Sequence, residues 1–286
     1  MRKLTNISII LLLCSGIVYG QTTPPTSVVI DSKTYYQHGY NSVGGPDRPE
    51  EIRDSVTVTS VSKYFVLPNP FVSPLYNPTN ALVFTNVNST FPWTLRNSLG
   101  TITNGNNTPL ITVTWGNTTG IDSVRVTETP TQLGAVCIGS GTSIPVAVIA
   151  KPTIAFNQVN SAYADSTCFT PAELLAGVLR NFAVTATTQS AQLQVDYTVT
   201  RNGVAYPALN GTNVPVAVGG NISITFSEYG RYEITITKIT DRVSRNSFDA
   251  AGNSIVGDIT TAGARFVYHV MPPVQTGPIF RLPNRF

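Results

Sequence analysis

From Asp54 onward, apolar residues recur at every second position in short runs that are separated by Gly, Pro and Asn. The stretches 110–115 and 232–240 are the clearest of these runs. Because the side chains of a β-strand point alternately to opposite faces, this period predicts strands with one buried face. Strands that repeat every ~8–12 residues between turn signals are typical of β-sandwiches. The sequence therefore predicts an all-β fold.

The composition excludes several other classes of protein. Charged residues make up only 12% of the 286-residue chain, whereas Thr occurs 38 times. That charged fraction is about half of the ~25% usual in soluble domains, and it is too low for a helical bundle or a disordered chain. The net charge of +3 is not gathered into a basic stripe. We therefore expect no nucleic-acid partner.

The first twenty residues resemble a secretory signal. Arg2 and Lys3 give a positive start, 7–13 is an apolar run, and cleavage after Gly20 is expected. The alternatives are a membrane anchor, a buried strand or a lipid on Cys14, although Leu13 is large for the position before a lipidated cysteine. No later apolar stretch approaches the ~18 residues of a membrane span, so the mature chain is expected to lack one. The protein is predicted to be exported.

A boundary is expected at Lys151-Pro152, after which the strand pattern restarts. Two tandem sandwiches follow from this boundary, and a Pro-rich stretch follows the last strand. The predicted division is a signal peptide (1–20), an irregular lead-in with one strand at Val28–Ile30 (21–54), a first domain (55–151), a second domain (152–273) and an extended tail (274–286).

Several local features can be predicted inside this division. Asn104-Gly105 and Asn202-Gly203 are hairpin turn signals. A helix is expected at Pro171–Leu179, with Thr170 as its N-cap. A strand is expected at Ala81–Phe84. We also expect Leu110–Trp115 to pair with Ser123–Thr127 across a short turn.

The stretch 228–236 carries the most specific local signal. Gly230 stands two residues before Tyr232, and Tyr232 leads into an alternating strand. This resembles the tyrosine corner of immunoglobulin-like and PKD-like sandwiches, in which the Tyr hydroxyl bonds back to the backbone. The resemblance assigns Gly230 and Tyr232 a structural role.

The stretch 115–128 ends a Val-rich strand in Thr-Glu and is followed by Cys137-Ile138-Gly139. It looks like the tandem PKD-like or immunoglobulin-like modules of exported Bacteroidota cell-surface proteins. The likeness covers about residues 56–270, although the Gly-Asp-Gly turn of true PKD modules is absent. The resemblance implies a structural role on the cell surface, with a link to type IX secretion or gliding assemblies.

Three Asp-Ser tripeptides are similar to the O-glycosylation tripeptide of Bacteroidota. The serines concerned are Ser55, Ser123 and Ser166. The alternative interpretation is that these are ordinary polar residues at strand edges.

Cys137 and Cys168 are the two cysteines that remain after cleavage. In an exported chain an isolated pair most simply forms a disulfide. The alternative is two free buried thiols.

The sequence carries no recognisable catalytic or metal-binding signature. His38 and His269 are far apart, and neither has a Cys or a paired carboxylate nearby. Asp241, Asp249 and Asp258 do not have the spacing of a compact calcium loop. We expect a non-enzyme without a cofactor or metal.

Two features suggest binding. One interpretation of the aromatic residues is a face that stacks against carbohydrate rings. The favoured alternative is that Trp93 and Trp115 pack in the core. The candidate residues of the carbohydrate-stacking face are Tyr35, Tyr36, Tyr40, Tyr64 and Trp93. The tail combines apolar and Arg side chains of the kind enriched at interfaces, and its candidate docking residues are Ile279, Phe280, Arg281, Arg285 and Phe286. A frayed chain end is the alternative for the tail.

The function predicted from these features is that of a non-catalytic structural or interaction protein. Such a protein would lie at the periplasmic or outer face of the outer membrane and would bind protein partners there. A carbohydrate-binding adhesin module is the alternative, with a glycan as its partner.

Overall fold

The computed structural model describes residues 27–30, 33–36, 54–69, 72–77, 83–131, 141–157, 165–189, 193–259 and 263–274. The predicted signal peptide, Cys137, and the tail from residue 275 onward lie outside the described residues. Strands dominate the described chain, which confirms the all-β prediction.

The lead-in contains a hairpin where only one strand was expected. Strand β1 (Ser27–Ile30) pairs antiparallel with β2 (Lys33–Tyr36). The prediction found β1 from its apolar run and missed β2, which lies in a stretch of aromatic residues without a clean period.

Residues 54–149 are called here the N-terminal unit, and their described part contains nine strands. They are β3 (Asp54–Thr57), β4 (Val61–Phe65), β5 (Ser89–Thr90), β6 (Trp93–Leu95), β7 (Gly100–Asn104), β8 (Leu110–Trp115), β9 (Gly120–Val126), β10 (Thr129–Pro130) and β11 (Thr142–Ile149). One sheet has the order β3-β11-β9-β6 and the other β4-β8-β7, while β5 and β10 pair with each other. Strand β3 runs parallel to β11.

The two sheets of the N-terminal unit bury one cluster of apolar side chains between them. Val124 and Val148 enter it from the first sheet, and Ile111, Val113 and Trp115 enter it from β8. Every second residue of β8 is therefore buried, as the period predicts.

The pairing predicted between 110–115 and 123–127 is wrong. Strand β8 pairs with β4 and β7, whereas β9 pairs with β11 and β6. The link at 116–119 crosses from one sheet to the other. Both strands face the same core from opposite sides, so their periods match although they are not neighbours. No strand forms at Val83 and Phe84 either, and Val83 is 45% exposed.

The described part of residues 153–271, called here the C-terminal unit, contains ten strands, two short α-helices and a 3₁₀ turn at Pro207–Leu209. The strands and α-helices are β12 (Thr153–Phe156), β13 (Asp165–Cys168), α1 (Pro171–Ala176), β14 (Val178–Thr187), β15 (Leu193–Arg201), β16 (Val204–Ala205), β17 (Gly211–Val216), β18 (Asn221–Phe226), β19 (Gly230–Thr240), α2 (Arg242–Asn246), β20 (Asp258–Ile259) and β21 (Arg265–Met271). One sheet has the order β18-β14-β12-β20. The other has the order β13-β21-β19-β15, with β16 and β17 both paired to β15.

The core of the C-terminal unit is rich in aromatic rings. Phe226 lies 4.6 Å from Tyr232 and 5.2 Å from Tyr268, measured between ring centroids. Phe182 lies 5.0 Å from Phe266. These rings come from both sheets and fill the space between them. Strands β12, β14 and β18 thus face β15, β17, β19 and β21 across this core, an arrangement typical of immunoglobulin-like sandwiches.

Helix α1 begins where it was predicted to begin. The Thr170 hydroxyl accepts from the Glu173 N–H at 3.3 Å, and the Glu173 carboxylate accepts from the Thr170 N–H at 2.8 Å, which makes a capping box. The helix ends at Ala176, before the predicted Leu179, because Gly177 adopts a φ of 84° and the chain then enters β14. Helix α2 was not predicted, since five residues are too few to show a helical period.

Both predicted hairpin turns are present. Asn202 and Gly203 have φ values of 50° and 81° and join β15 to β16, as a two-residue hairpin turn with two positive φ values requires. Gly105 has a φ of 83° in the connection between β7 and β8.

The segment 241–257 connects the two units. The Thr57 N–H donates to the Ser247 hydroxyl at 2.9 Å, and the Val61 N–H donates to the Phe248 carbonyl at 2.7 Å. The same segment bonds back to its own unit, where the Gly257 N–H donates to the Ile239 carbonyl at 2.8 Å. Lys151-Pro152, the predicted boundary, lies between β11 and β12 next to the end of this segment, where the Asp258 N–H donates to the Pro152 carbonyl at 2.9 Å.

Candidate functional site

Tyr232 is the third residue of β19 and is fully buried. Its hydroxyl donates to the Glu228 carbonyl at 2.9 Å, a bond that runs back four residues to the backbone. This is the direction that the predicted tyrosine corner requires. Burial raises the pKa of Tyr232, so the hydroxyl keeps its proton and remains a donor.

Charged and aromatic side chains hold the same corner from outside. The Arg201 guanidinium donates to the Tyr229 carbonyl at 2.7 and 3.0 Å and forms an ion pair with Glu228. The Tyr206 hydroxyl donates to the other Glu228 oxygen at 2.9 Å. The hydrogen bonds and the ion pair of these polar groups therefore hold the chain in place at this corner.

Asp122 is the corresponding anchor of the N-terminal unit, that is, a buried side chain whose hydrogen bonds hold the backbone in place, and no sequence motif predicts this role. Its side chain is fully buried and accepts from the backbone N–H groups of Asn97, Leu99 and Ser123 at 2.8, 2.8 and 2.7 Å. In the sequence Asp122 stands out only as part of a candidate glycosylation tripeptide. The available signal was an acidic residue at an inward position of an alternating strand.

The three candidate glycosylation serines lie in different surroundings. Ser166 is exposed on β13, which is an outer strand of its sheet. Ser55 and Ser123 are only half exposed, and both stand in strands paired on at least one side. The structure does not bring the three serines together in one strand or sheet.

Cys168 is exposed at the end of β13, and within the described residues it has no sulfur partner. Cys137 lies outside the described residues. The disulfide therefore stays a prediction, while the alternative of a buried thiol does not fit Cys168.

The proposed carbohydrate-stacking face is wrong for Tyr64 and Trp93. Both side chains are buried. The Trp93 indole N–H donates to the Thr108 carbonyl at 2.7 Å, and the Tyr64 hydroxyl donates to the Asp54 carboxylate at 2.8 Å. Trp115 is 1% exposed, which confirms the core interpretation of both tryptophans. Nothing is described for the side chains of Tyr35 and Tyr36, and Tyr40 lies outside the described residues.

The acidic residues of 241–258 act as local caps. Asp241 caps α2 by accepting from the Ser244 N–H at 2.7 Å, and it also accepts from the Thr188 hydroxyl. Asp249 accepts from the N–H groups of Asn253 and Ala251, and these hydrogen bonds lower its pKa. Asp258 faces Lys151 at 3.9 Å. Among the residues that the structure describes, no cluster of three or more potential metal ligands occurs.

His269 has an unusual setting on β21. It is half buried on the outer face of its sheet beside Arg231, and its Nε2 atom is buried without a hydrogen-bond partner. Close to it, Glu233 pairs with both Arg231 and Arg265. This group contains one carboxylate, so it lacks the carboxylate pair of a glycosidase.

The surface of the C-terminal unit carries a shallow depression of about 450 Å³ lined by Leu193, Gln194, Pro215 and Val216. Its lining holds no titratable side chain, so it offers no acid, base or nucleophile. In the described part of the chain, no helix has both the length and the apolar character needed to cross a membrane.

Comparisons with known proteins give distant structural likenesses. No family model matches the chain, and no curated protein matches it. Fibronectin III-like modules of Clostridium thermocellum CbhA are similar over 80% of this chain and 95% of theirs, at 10% identity and a TM-score of 0.29.

Immunoglobulin domains 1–5 of Sidekick-1 are similar over 77% of this chain at 10% identity and a TM-score of 0.30, and the match covers 37% of that chain. The Yersinia pseudotuberculosis adhesin InvE is similar over 71% of this chain and 56% of its own, at 13% identity and a TM-score of 0.19. Likenesses at such scores assign no activity or partner to this chain. The sandwich assignment depends on the sheets of this chain.

Proposed function

We propose that the chain is a non-catalytic, exported structural or interaction protein of the cell envelope. Two tandem immunoglobulin-like domains, 55–151 and 152–273, hold surfaces and the tail 274–286 against protein partners at the periplasmic or outer face of the outer membrane. The sequence resemblance to Bacteroidota surface modules supports a place in a type IX secretion or gliding-type assembly.

One observation carries this proposal. The buried polar groups Tyr232, Asp122 and Asp241 all bond to the chain's own backbone. A catalytic group must instead direct its polar atoms toward a substrate. The buried polar side chains of the described residues thus hold the strands in place. The exposed faces and edges of the strands remain for contact with other molecules.

The test is affinity purification of the tagged protein from envelope fractions. The full chain is expected to retain a membrane-protein partner, and deletion of 274–286 is expected to lower that retention. Substitution of Phe280 and Phe286 by Ala tests the apolar contacts of the tail, with Gln275→Ala as the matched control. Equal retention by the full and the shortened chain would overturn the role of the tail.

Export is tested separately. N-terminal sequencing of the mature protein is expected to begin at Gln21. A chain that still begins at Met1 contradicts the proposed signal peptide. Mass spectrometry that finds a lipid on Cys14 contradicts it as well.

The adhesin alternative loses two of its five candidate aromatic residues, since Tyr64 and Trp93 are buried. Affinity electrophoresis with soluble polysaccharides is expected to show no retardation. Retardation in such gels, together with loss of any protein partner, would favour the adhesin over the proposed function.

A further inference from the structure

Among the strands that the structure describes, β18 forms an outer edge of the sheet β18-β14-β12-β20. It has six residues, Asn221–Phe226, and pairs without interruption from Asn221 opposite Ala183 to Phe226 opposite Val178. The strand contains no Pro, no Gly, no charged residue and no bulge.

The other described edges carry the protections that prevent strands from pairing with another chain. Strand β17 contains Pro215, and its pairing with β15 is interrupted by a bulge. Strand β7 has a register shift, and β4 carries an exposed Lys63 and gives its Val61 N–H to Phe248. The remaining edge strands of the two units have four residues or fewer. Strand β18 is the longest described edge without such protection.

The backbone groups that face outward from β18 can be identified from the ladder. The Val184 N–H donates to the Gly220 carbonyl at 3.0 Å, in register with the pairs of β14 and β18. Because backbone groups alternate along an antiparallel strand, Ile222, Ile224 and Phe226 bond to β14. The N–H and C=O groups of Asn221, Ser223 and Thr225 therefore point away from the sheet, and the side chains of these three residues are exposed.

These outward groups are arranged symmetrically about Ser223. We propose that two copies of this chain pair antiparallel through β18, about a two-fold axis at Ser223. In this register Ser223 lies opposite Ser223 of the second copy, and Asn221 lies opposite Thr225. Each of these pairs exchanges two backbone hydrogen bonds. The two four-stranded sheets join into one continuous sheet, and the contact is the same on both copies.

The side chains favour a second copy as the occupant. A residue on a two-fold axis faces itself, so a charged residue at 223 would place like charges opposite each other. Ser223 is uncharged, and the exposed residues of the adjoining strand, Leu179, Asn181 and Ala183, are uncharged as well. On the inner face Ile222 of one copy lies opposite Ile224 of the other, which continues the buried layer across the axis.

The first test measures self-association of the mature chain by sedimentation velocity over a range of concentrations. The expected result is a monomer–dimer equilibrium. Ser223→Lys is expected to weaken the dimer by about ten-fold or more, because it places two ammonium groups at the axis. Thr198→Lys is the matched control, since Thr198 is an exposed strand residue of the other sheet, and it should leave the dimer unchanged.

The second test uses the unmodified protein and so does not depend on the folding of a variant. Hydrogen exchange at the amides of Asn221, Ser223 and Thr225 is expected to slow as the protein concentration rises. The amides of Ile222 and Ile224, already bonded to β14, should be protected at every concentration.

Three results would overturn the proposal. They are a monomer at every concentration, a dimer that Ser223→Lys leaves intact in a folded protein, and protection of the three outward amides only when another envelope protein is added. The last result would assign the edge to that protein. The pairing does not depend on the envelope partner proposed above, so loss of that partner leaves the dimer in place.

Discussion

The two units hold the start of a central strand in place with chemically different buried side chains. In both, a strand that is central in its sheet begins with Gly, followed two residues later by a buried anchor: Gly120 and Asp122 in β9, Gly230 and Tyr232 in β19. The tyrosine donates one hydrogen bond to a carbonyl, whereas the aspartate accepts three from backbone N–H groups. The position of the anchor is thus shared, while its chemical type is not.

The difference has an energetic consequence. Tyr232 adds a large apolar ring to the core, and its hydroxyl contributes one bond. Asp122 brings a carboxylate into the interior, which is costly unless hydrogen bonds compensate for the lost water. The N-terminal unit should therefore depend more on the polar atoms of its anchor than the C-terminal unit does.

Asp122→Ala is expected to have the largest effect, a loss of about 4 kcal/mol in the free energy of unfolding. The substitution leaves three backbone N–H groups without their acceptor, and each unsatisfied group costs roughly 1–3 kcal/mol. Urea denaturation followed by Trp fluorescence measures it, since Trp93 and Trp115 both lie in this unit. The matched control is Asp196→Ala, which removes a single acceptor from the Asn213 N–H. Equal losses from the two substitutions would contradict the role of Asp122.

Tyr232→Phe should cost less, about 1.5 kcal/mol, because it leaves only the Glu228 carbonyl without a donor. The measurement is the unfolding midpoint followed by near-ultraviolet circular dichroism. Tyr197→Phe is the control, since Tyr197 is buried in the same core and its hydroxyl makes no hydrogen bond to any residue that the structure describes. A loss for Tyr232→Phe no larger than that for Tyr197→Phe would show that the corner bond adds nothing.

Ser247→Ala tests whether the two units unfold together. It removes the acceptor of the buried Thr57 N–H and should cost about 1 kcal/mol. Scanning calorimetry is expected to show the thermal transition broadening or separating into two. Ser254→Ala, which removes a bond to Arg245 within the same segment, should leave the shape of the transition unchanged.

Glu173→Gln should have the smallest effect and should depend on pH. The hydrogen bonds from the Thr170 N–H and hydroxyl lower the pKa of Glu173, so its contribution to stability is present above the ordinary pKa. That contribution is lost as the pH falls through the lowered value. The difference in Tm between the wild type and Glu173→Gln should therefore vanish in acid. Asp165→Asn, on the exposed strand β13, is the control for the loss of one surface carboxylate outside the capping box.

Local features of the chain were predicted well where neighbouring residues decide them. The capping box at Thr170 and Glu173 and the turn at Asn202-Gly203 depend on contacts within a few residues. Features that depend on distant residues were missed. The Asp122 carboxylate accepts hydrogen bonds from residues 23 and 25 positions away as well as from its neighbour. A local sequence pattern therefore cannot predict them.

The sequence by itself determined the all-β class, the buried face of most strands and the places where the chain turns. These follow from the period of two, from Gly and Asn, and from Pro, all of which act through local backbone geometry. Only the tertiary structure decided which strands are neighbours, as the separation of β8 and β9 into different sheets shows. It also decided that Asp122 is an anchor and that β18 is an open edge, because both depend on which parts of the chain meet after folding.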